Sequence, residues 1–455
     1  MNDNNSPVPG VQSLPWRAML VLGIIVILVR VSLFPFIFPY KNNPQGALIT
    51  DNWGVIARNL AEGHGYTLPY HGNPDDKTPT PTAFREPVPV LWIAGIFTLF
   101  GFKLWPVLIG NWLLDAATAM ILYLLARYIF PRQSAFPILS VLMFAFYVPE
   151  MWTSYMAISE SIFTLLLMLH LLTLVHLLDR PSMGRAAWSG MWLGLASLAR
   201  PIMLAFPAII LVLMVLRYHR VWQTVKHLAM LGLVFVIVLS PWVIRNYLSF
   251  GAFVPSSTLL GYNLIKNNYY LTSDDYLRQL FPPERVKVEM ERLLNARGDS
   301  LADYNQAAQD KVYVREALAR VAQRPDRFLA LSANRFLYLW FYFDFVERQY
   351  TQSLPVALSF AALHVALLAS LALSLVSELR TRSVQALPLW VTILYFTLFY
   401  SLIHAQPRYL VPVMPLVMLL AAPAVYNGLT KLFELTLGTL GFSKEIAWFG
   451  RSGNE

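Results

Sequence analysis

About ten apolar segments, each close to the length of a membrane crossing, make up most of this 455-residue chain. The hydrocarbon core of a bilayer is about 30 Å thick, so a helix needs roughly 20 apolar residues to cross it. The chain is 56% hydrophobic and 13% charged, which is more apolar surface than one soluble core can bury. The sequence therefore predicts an all-α, polytopic membrane protein with about ten or more transmembrane helices.

The predicted spans share apolar character and helical length. They cover residues 17–38, 105–129, 135–150, 158–178, 186–199, 201–217, 228–245, 353–376, 387–404 and 409–430. The first is expected to be a retained helix rather than a cleaved signal peptide, because a polar tail precedes it and it is long enough to span.

Basic residues concentrate in alternate loops. If the N-terminus is cytoplasmic, every short inner loop is basic, through Arg127, Arg132, Arg180, Arg185, Arg217, Arg220, Lys226, Arg380 and Arg382. This agrees with the positive-inside rule and places residues 39–104 and 246–352 on the outer side. The net charge of +9 is then explained by topology rather than by nucleic-acid binding.

Three regions follow from this topology. Residues 1–245 are expected to form an N-terminal transmembrane module with the first outer loop at 39–104. Residues 246–352 are expected to form a small outer helical cap, and 353–455 the C-terminal helices with a cytoplasmic tail.

Helices are also predicted within the outer regions. Residues 87–101 are apolar but too short to cross, which favours a helix lying at the membrane interface. The charged patterning of Glu284–Leu294 and Ala302–Arg320 indicates cap helices, and the aromatic-rich Arg327–Phe345 suits a helix at the headgroup level.

Asp51 lies at the start of a short predicted helix in the first outer loop. One interpretation is an N-cap that accepts backbone N–H groups and contributes about 1 kcal/mol. The other is a functional carboxylate, which needs further polar residues beside it.

Such residues lie at the predicted outer face. Arg85 and Glu86 precede a proline. Glu160 begins an apolar helix, where it is either an acid that interacts favourably with the helix dipole or a functional residue. Arg200, Arg245 and Arg408 depart from the positive-inside pattern and favour an anion ligand. The alternative for Arg200 is that it snorkels at a break between two helices. Broken helix ends are expected at the prolines Pro201, Pro241, Pro407 and Pro412.

These motifs together resemble the GT-C class of membrane glycosyltransferases, in the branch of lipid A aminoarabinose transferases and protein O-mannosyltransferases. The resemblance covers nearly the whole membrane part. Six stretches support it: Asp51 with Ala57–Leu60 and Gly63–Tyr66, Phe84–Pro87, Ser159–Ser161, Leu195–Pro201, Ser240–Tyr247 and Arg408–Pro415.

The resemblance implies a sugar donor on a polyprenyl phosphate and an acceptor hydroxyl on the periplasmic (outer) face of a bacterial inner membrane. Asp51 would be the general base of an inverting transfer, with Glu86 and Glu160 beside it in the catalytic site. The donor phosphate would be held by arginines, from the candidates Arg85, Arg200, Arg245 and Arg408. Further substrate contacts are expected from Arg58, Tyr66, Asn246 and Tyr409.

One departure concerns the sugar. The aminoarabinose branch usually has an acid and then a lysine before the proline, whereas here Arg85 precedes Glu86. This weakens a specific expectation of aminoarabinose. Lipid A, a cell-surface glycan and a secreted protein all stay open as acceptors.

No catalytic metal or other cofactor is predicted, with a divalent cation as the alternative. The chain has no cysteine, and its outer histidines His64, His71 and His404 show no ligand spacing. The absence of a P-loop or Rossmann fingerprint argues against a nucleotide-sugar donor. The alternative functions are a transporter or flippase of a lipid-linked sugar, which would need no base, and an inactive lipid-binding scaffold.

Overall fold

Helices form nearly all of the regular structure in the computed structural model of the chain. It describes residues 16–38, 40, 43–69, 79–218, 221–274, 276–277, 283–296, 298–300, 304–341, 354–381 and 385–439. Several of these helices are apolar enough to cross a membrane. The prediction of an all-α, polytopic membrane protein is therefore confirmed.

The N-terminal half contains nine helices and a two-stranded antiparallel sheet among the described residues. The helices are α1 (Trp16–Ile37), α2 (Gly46–Ile49), α3 (Trp53–Ala61), α4 (Pro87–Phe100), α5 (Leu104–Ile129), α6 (Ala135–Ala145), α7 (Val148–Ser154), α8 (Glu160–Asp179) and α9 (Met183–Ala199). The strands β1 (Thr67–Pro69) and β2 (Pro79–Pro81) lie in the first outer loop, where the sequence predicted none.

The C-terminal half begins after a 3-10 turn at Pro201–Ala205. Its described helices are α10 (Phe206–Arg217), α11 (Val221–Phe250), α12 (Leu260–Asn268), α13 (Pro283–Asn295), α14 (Gln306–Gln323), α15 (Pro325–Phe341), α16 (Leu354–Thr381), α17 (Leu387–Ile403) and α18 (Met414–Thr439). A second long 3-10 segment, Pro407–Val413, leads directly into α18.

Each predicted span falls on a helix, but the number of long spans is smaller than ten. Within the described ranges, six helices meet the length and hydropathy of a crossing, and α6 with α7 would make a seventh if that pair, bent by 57°, is one span. The other predicted spans correspond to helices of 17 residues or fewer, namely α9, α10 and α17. Such helices are shorter than the roughly 20 residues that a straight crossing needs.

Some of the prolines that were predicted to break helices do so, and one does not. Pro201 and Pro407 each begin a 3-10 segment, as expected where the ring removes a helical hydrogen bond. Pro241, in contrast, lies inside α11, which continues to Phe250. The expected break at Pro241 is therefore wrong.

The helices predicted within the outer regions are present where they are described. Helix α4 coincides with the predicted interface helix, and α13 and α14 coincide with the predicted cap helices. The cap has its own small core, which includes Ile265, Met290 and Ala317. The predicted tails and residues 342–345 of the aromatic segment lie outside the described residues.

Candidate active site

The backbone at Asp51 has an uncommon conformation. Asp51 and Asn52 have φ angles of 55° and 70°, the left-handed region that non-glycine residues rarely adopt. They form a 3-10 turn between α2 and α3. Gly54 permits this tight connection, because a Cβ there would lie 1.6 Å from the carbonyl oxygen of Leu48. Two consecutive strained residues are typical of functional sites.

Asp51 is not the cap of α3. Asn52 occupies the N-cap position of that helix, and no side chain caps it. The side chain of Asp51 instead faces two arginines. Its Oδ2 accepts a 2.6 Å hydrogen bond from Nη2 of Arg408, and its Oδ1 lies 3.5 Å from Nη2 of Arg85. The N-cap interpretation of Asp51 is therefore wrong.

The two arginines control the ionisation of Asp51. Burial favours the neutral acid, but the guanidinium groups of Arg408 and Arg85 outweigh burial and lower the pKa of the carboxyl to about 2. Arg85 also donates a hydrogen bond to the carbonyl oxygen of Asp51 and stacks 4.2 Å above the ring of Trp53. The Asp51 carboxylate is thus ionised and held in place at neutral pH.

A second ion pair continues the cluster inward. Glu160 begins α8 as predicted, and its Oε1 lies 2.6 Å from Nη2 of Arg200. Arg408 bridges the two pairs, because its Nε is 3.9 Å from the same Glu160 oxygen. Tyr409 lies beneath Arg200, with its ring centroid 5.4 Å from the guanidinium carbon. Basic and acidic side chains therefore alternate in the order Arg85, Asp51, Arg408, Glu160 and Arg200.

Lys266 is a site residue that the sequence analysis missed. It lies on α12 in the predicted cap, is nearly buried, and has its ammonium group 5.4 Å from the ring centroid of Tyr262. Burial lowers the pKa of Lys266 to about 8, although the Asp51 carboxylate opposes this shift. In the sequence, Lys266 is recognisable only as a basic residue in the predicted cap. The sequence does not indicate that α12 folds onto the first outer loop.

Glu86 lies beside the cluster rather than within its chain of charges. Its Oε1 accepts a 3.1 Å hydrogen bond from the hydroxyl of Ser257, and its Oε2 has no partner among the described residues. Burial raises the pKa of this carboxyl, although Arg85 and Arg200 oppose the shift.

The other predicted site residues lie outside the cluster. Arg245 donates hydrogen bonds of 2.7 Å and 3.0 Å to the backbone carbonyls of Thr82 and Tyr66, and so fastens the first outer loop to α11. Tyr66 donates to the carbonyl of Arg85, and Asn246 donates to that of Val254.

Arg58 is the most exposed of the predicted site residues. Its side chain is 52% exposed and pairs with Glu62 at 2.7 Å. Its predicted substrate contact stays untested, as do those of Tyr66 and Asn246.

The cluster borders a cavity of about 120 Å³. Trp53, Arg85, Glu86, Arg200, His404 and Arg408 are among its lining residues. His404 lies in this wall, with Nδ1 2.9 Å from Oδ1 of Asn267. Of the other outer histidines, His64 is near Glu62 at 3.8 Å, and His71 lies outside the described residues.

The histidines and acids do not gather into a metal-binding set. Across the described part of the chain, no group of three or more His, Cys, Asp or Glu residues is placed to hold a metal ion. The expectation of no catalytic metal stays a prediction, with a divalent cation as the alternative.

A separate buried ion pair lies between α1 and α5. Nε of Arg30 donates a 2.9 Å hydrogen bond to Oδ2 of Asp115, and both side chains are fully buried. Glu150 on α7 is also buried, and neither of its carboxylate oxygens has a partner in the described ranges. The sequence analysis did not single out any of these three residues.

Comparison with known proteins gives a family match and a set of similar folds. Residues 82–244, about a third of the chain, match the family described as dolichyl-phosphate-mannose-protein mannosyltransferase. The oligosaccharyltransferase of Archaeoglobus fulgidus in its apo form is similar, with a TM-score of 0.53 and 16% identity over 92% of this chain and 52% of that one. The same enzyme in complex with Zn and sulfate has a TM-score of 0.50 and 14% identity, over 95% and 52% of the two chains.

ArnT from Cupriavidus metallidurans, bound to undecaprenyl phosphate, has a TM-score of 0.41 and 14% identity over 90% of this chain and 78% of that one. No curated protein matches the chain by sequence. The chain spans about half the length of the archaeal oligosaccharyltransferase, at 52%. The predicted GT-C fold is confirmed, and the family match supports a glycosyltransferase that uses a lipid-linked donor.

Proposed function

We propose that this chain, an integral membrane protein with the GT-C fold, moves one sugar from a polyprenyl phosphate to an acceptor hydroxyl with inversion at the anomeric carbon. The observation that supports this most strongly is the position of Asp51 between Arg85 and Arg408, two arginines that line a cavity. A carboxylate and a set of cations are the two groups that this reaction needs.

Asp51 is the general base of the proposed reaction. An acceptor hydroxyl must reach the base from outside, and among the three candidate acids only Asp51 is accessible. Its side chain is 32% exposed, whereas Glu86 is 4% and Glu160 is 0% exposed. Asp51 takes the proton as the acceptor oxygen attacks the anomeric carbon, so no covalent sugar intermediate is needed.

Arg85, Arg408 and Arg200 form the phosphate site. The bond to the leaving group breaks as the sugar moves, and negative charge then develops on the lipid phosphate. Guanidinium groups fixed in a partly buried site stabilise such charge without reorganising. Glu160 positions Arg200 through their 2.6 Å ion pair.

The arginines also set the strength of the base. A carboxylate whose pKa is about 2 is a weak base, because its two arginines favour the ionised form. A donor phosphate competes for Arg85 and Arg408, and so loosens their hold on Asp51 and raises its basicity. Donor binding thus prepares the base for the acceptor.

An apolar cavity of about 530 Å³ provides room for part of the donor's lipid chain. It lies among α6, α7, α15, α16 and α18, and its wall includes Pro407, Leu410 and Val411 beside Arg408. A polyprenyl chain in this cavity would place its phosphate near the arginines. The periplasmic side, the inner membrane and the identity of the acceptor stay predictions.

The test is transfer from a panel of radiolabelled polyprenyl-phosphate sugars to a crude envelope extract. Purified wild type and Asp51→Asn are compared in detergent. Transfer by the wild type alone supports the proposal, and equal transfer by both removes Asp51 from catalysis. Donor binding or translocation in liposomes without transfer by either protein would favour the flippase.

A further inference from the structure

Arg335 is a buried arginine on α15 that joins the end of α12 to the end of α17. We propose that Arg335 is a positioning residue for the transfer, which holds Lys266 of α12 beside Asp51 and Arg408. The inference rests on the proposed function, in which the cations around Asp51 bind the donor phosphate. It assigns to Arg335 an effect on donor binding that acts through Lys266.

The guanidinium of Arg335 donates to uncharged oxygens at the ends of two helices. Nη2 donates to the carbonyl of Asn267 and, at 3.1 Å, to Oδ1 of Asn268, both in the last turn of α12. Nη1 donates to the carbonyl of Leu402 at 3.3 Å, one residue before α17 ends. The C-terminus of a helix has a partial negative charge, so one cation stabilises both helix ends. Since Arg335 is 1% exposed, these hydrogen bonds replace the water that its charge has lost.

The end of α12 is fixed a second time by His404. Nδ1 of His404 lies 2.9 Å from Oδ1 of Asn267. His404 follows α17 directly and lines the 120 Å³ cavity together with Arg408. Leu260 and Asn263, in the first turn of α12, line the same cavity. The two contacts at Asn267 therefore set where α12 lies relative to Arg408.

Lys266 depends on this attachment. It directly precedes Asn267, so its backbone moves with the turn that Arg335 fastens. Its ammonium group interacts with the charges of Asp51 and Arg408. The energy of such an interaction falls with distance and with access of water, so a shift of this turn would weaken it. Arg335 does not line the cavity itself, and its effect on the donor therefore passes through Lys266.

The test is donor binding to the full-length protein in detergent from pH 6.5 to 9.5. The probe is a radiolabelled polyprenyl-phosphate sugar that the wild type transfers. The variants are Arg335→Met, Lys266→Met and the two combined. Arg335→Lys is added because it retains the buried charge, and it decides the question if Arg335→Met does not fold. Its compact ammonium lacks the planar fork with which the guanidinium reaches both helix ends.

Arg327→Met is the matched control. Arg327 also lies on α15, and its Nη1 donates to the carbonyls of Leu271 and Ser273 at 3.3 and 2.6 Å. These carbonyls lie beyond the end of α12, within and just after the 3-10 turn Tyr269–Thr272. Arg327→Met thus removes a comparable arginine without releasing the turn that contains Lys266.

Arg335→Met is expected to weaken donor affinity by about tenfold at pH 7, and to lose the fall in affinity above about pH 8 that the titration of Lys266 causes. Added to Lys266→Met, it should weaken affinity by no more than about twofold further, because its effect acts through the lysine. Arg335→Lys should show a smaller loss, again only where Lys266 is present. Arg327→Met should keep the alkaline fall, and any effect it has should add to that of Lys266→Met.

Additive losses of an Arg335 variant and Lys266→Met would overturn the inference, because Arg335 would then act on the donor independently of Lys266. Unchanged donor affinity in Lys266→Met, or in both Arg335 variants, would overturn it as well. A purely structural role would lower the fraction of protein that binds and leave affinity and its pH dependence intact. All of these results leave the proposed function standing while the wild type transfers the sugar. A wild type that transfers from no polyprenyl-phosphate donor would refute the proposed function, and the inference with it.

Discussion

Nη2 of Arg408 donates a 2.6 Å hydrogen bond to Oδ2 of Asp51 across 357 positions of sequence. This bond joins the first outer loop to the 3-10 segment that begins the last described helix. Two motifs that are weak separately therefore meet in one cluster. Its ion pairs bring together the proposed base and the arginines proposed to bind the phosphate.

Replacing Asp51 with asparagine tests the base. The amide keeps the size of the side chain but accepts no proton, so transfer should fall by about 10²–10⁴-fold. Donor affinity should be kept or increase, because Arg85 and Arg408 lose a competing anion. Radiolabelled transfer and donor binding are measured on the same preparation.

The matched control for this change is Glu62→Gln. Glu62 is also an acid of the first outer loop, but it pairs with the exposed Arg58. It should retain wild-type transfer. A loss of donor binding in Asp51→Asn equal to its loss of transfer would contradict a role specific to proton removal.

Arg408→Gln and Arg58→Gln separate a phosphate cation from a surface cation. Arg408 lies in the cluster, so its loss should raise KM for the donor and lower kcat. The two effects together should reduce kcat/KM by about 10²-fold or more. Arg58 is in an exposed pair that contributes at most about 1 kcal/mol. Steady-state kinetics at varied donor concentration make the comparison, and equal effects of the two changes would refute the assignment of Arg408.

Lys266 should make donor affinity fall as the pH becomes alkaline. Burial lowers its pKa from 10.5 to about 8, so the ammonium is charged below this pH and loses its charge as the pH rises through it. A charged Lys266 adds to the field of Arg85 and Arg408, and the phosphodiester of the donor does not titrate in this range. Donor affinity should therefore weaken above about pH 8.

Titration of donor binding from pH 6.5 to 9.5 measures this effect. Lys266→Arg should move the loss to higher pH, because a guanidinium stays charged. Lys266→Met should bind the donor more weakly than the wild type, and its donor affinity should not fall further above about pH 8. A profile of Lys266→Met that superimposes on the wild type would exclude Lys266.

The features that could be predicted from the sequence are those that depend on local sequence patterns. Apolar runs predicted the helices, and Glu160 was recognised as an acid that begins an apolar helix. The assignment of Arg245 could not be resolved this way, because motif position does not reveal that its guanidinium faces the carbonyls of Thr82 and Tyr66. Lys266 was missed because its role depends on how the cap folds back onto the membrane part.

Gln306 is expected to position Arg85 from the cap. Oε1 of Gln306 accepts a 2.8 Å hydrogen bond from the backbone N–H of Ala83 and a 3.1 Å bond from the hydroxyl of Thr82. Gln306→Leu leaves these donors unsatisfied near Arg85, at a cost of about 1–3 kcal/mol. KM for the donor should rise more than kcat falls. Gln309→Leu, whose amide bonds Tyr304 within the cap, is the control and should keep the wild-type KM.

The buried pair of Arg30 and Asp115 is expected to act on stability rather than on transfer. Arg30 also donates a 2.6 Å bond to the carbonyl of Ala145, so it ties α1 to both α5 and α6. Arg30→Met leaves Asp115 buried without its cation, which should destabilise the protein by about 3–5 kcal/mol. Because a paired ion is costly to bury but an unpaired one costs more, the double variant Arg30→Met with Asp115→Leu should recover most of this loss.

Thermal unfolding in detergent, followed by tryptophan fluorescence, measures this series, with sugar transfer assayed below the transition. The double variant should transfer at nearly the wild-type rate, since neither residue lines the cavity beside the ion cluster. An unchanged melting temperature in Arg30→Met would show that the pair does not support the helix packing. A stable double variant without transfer would instead show that this pair contributes to the active site.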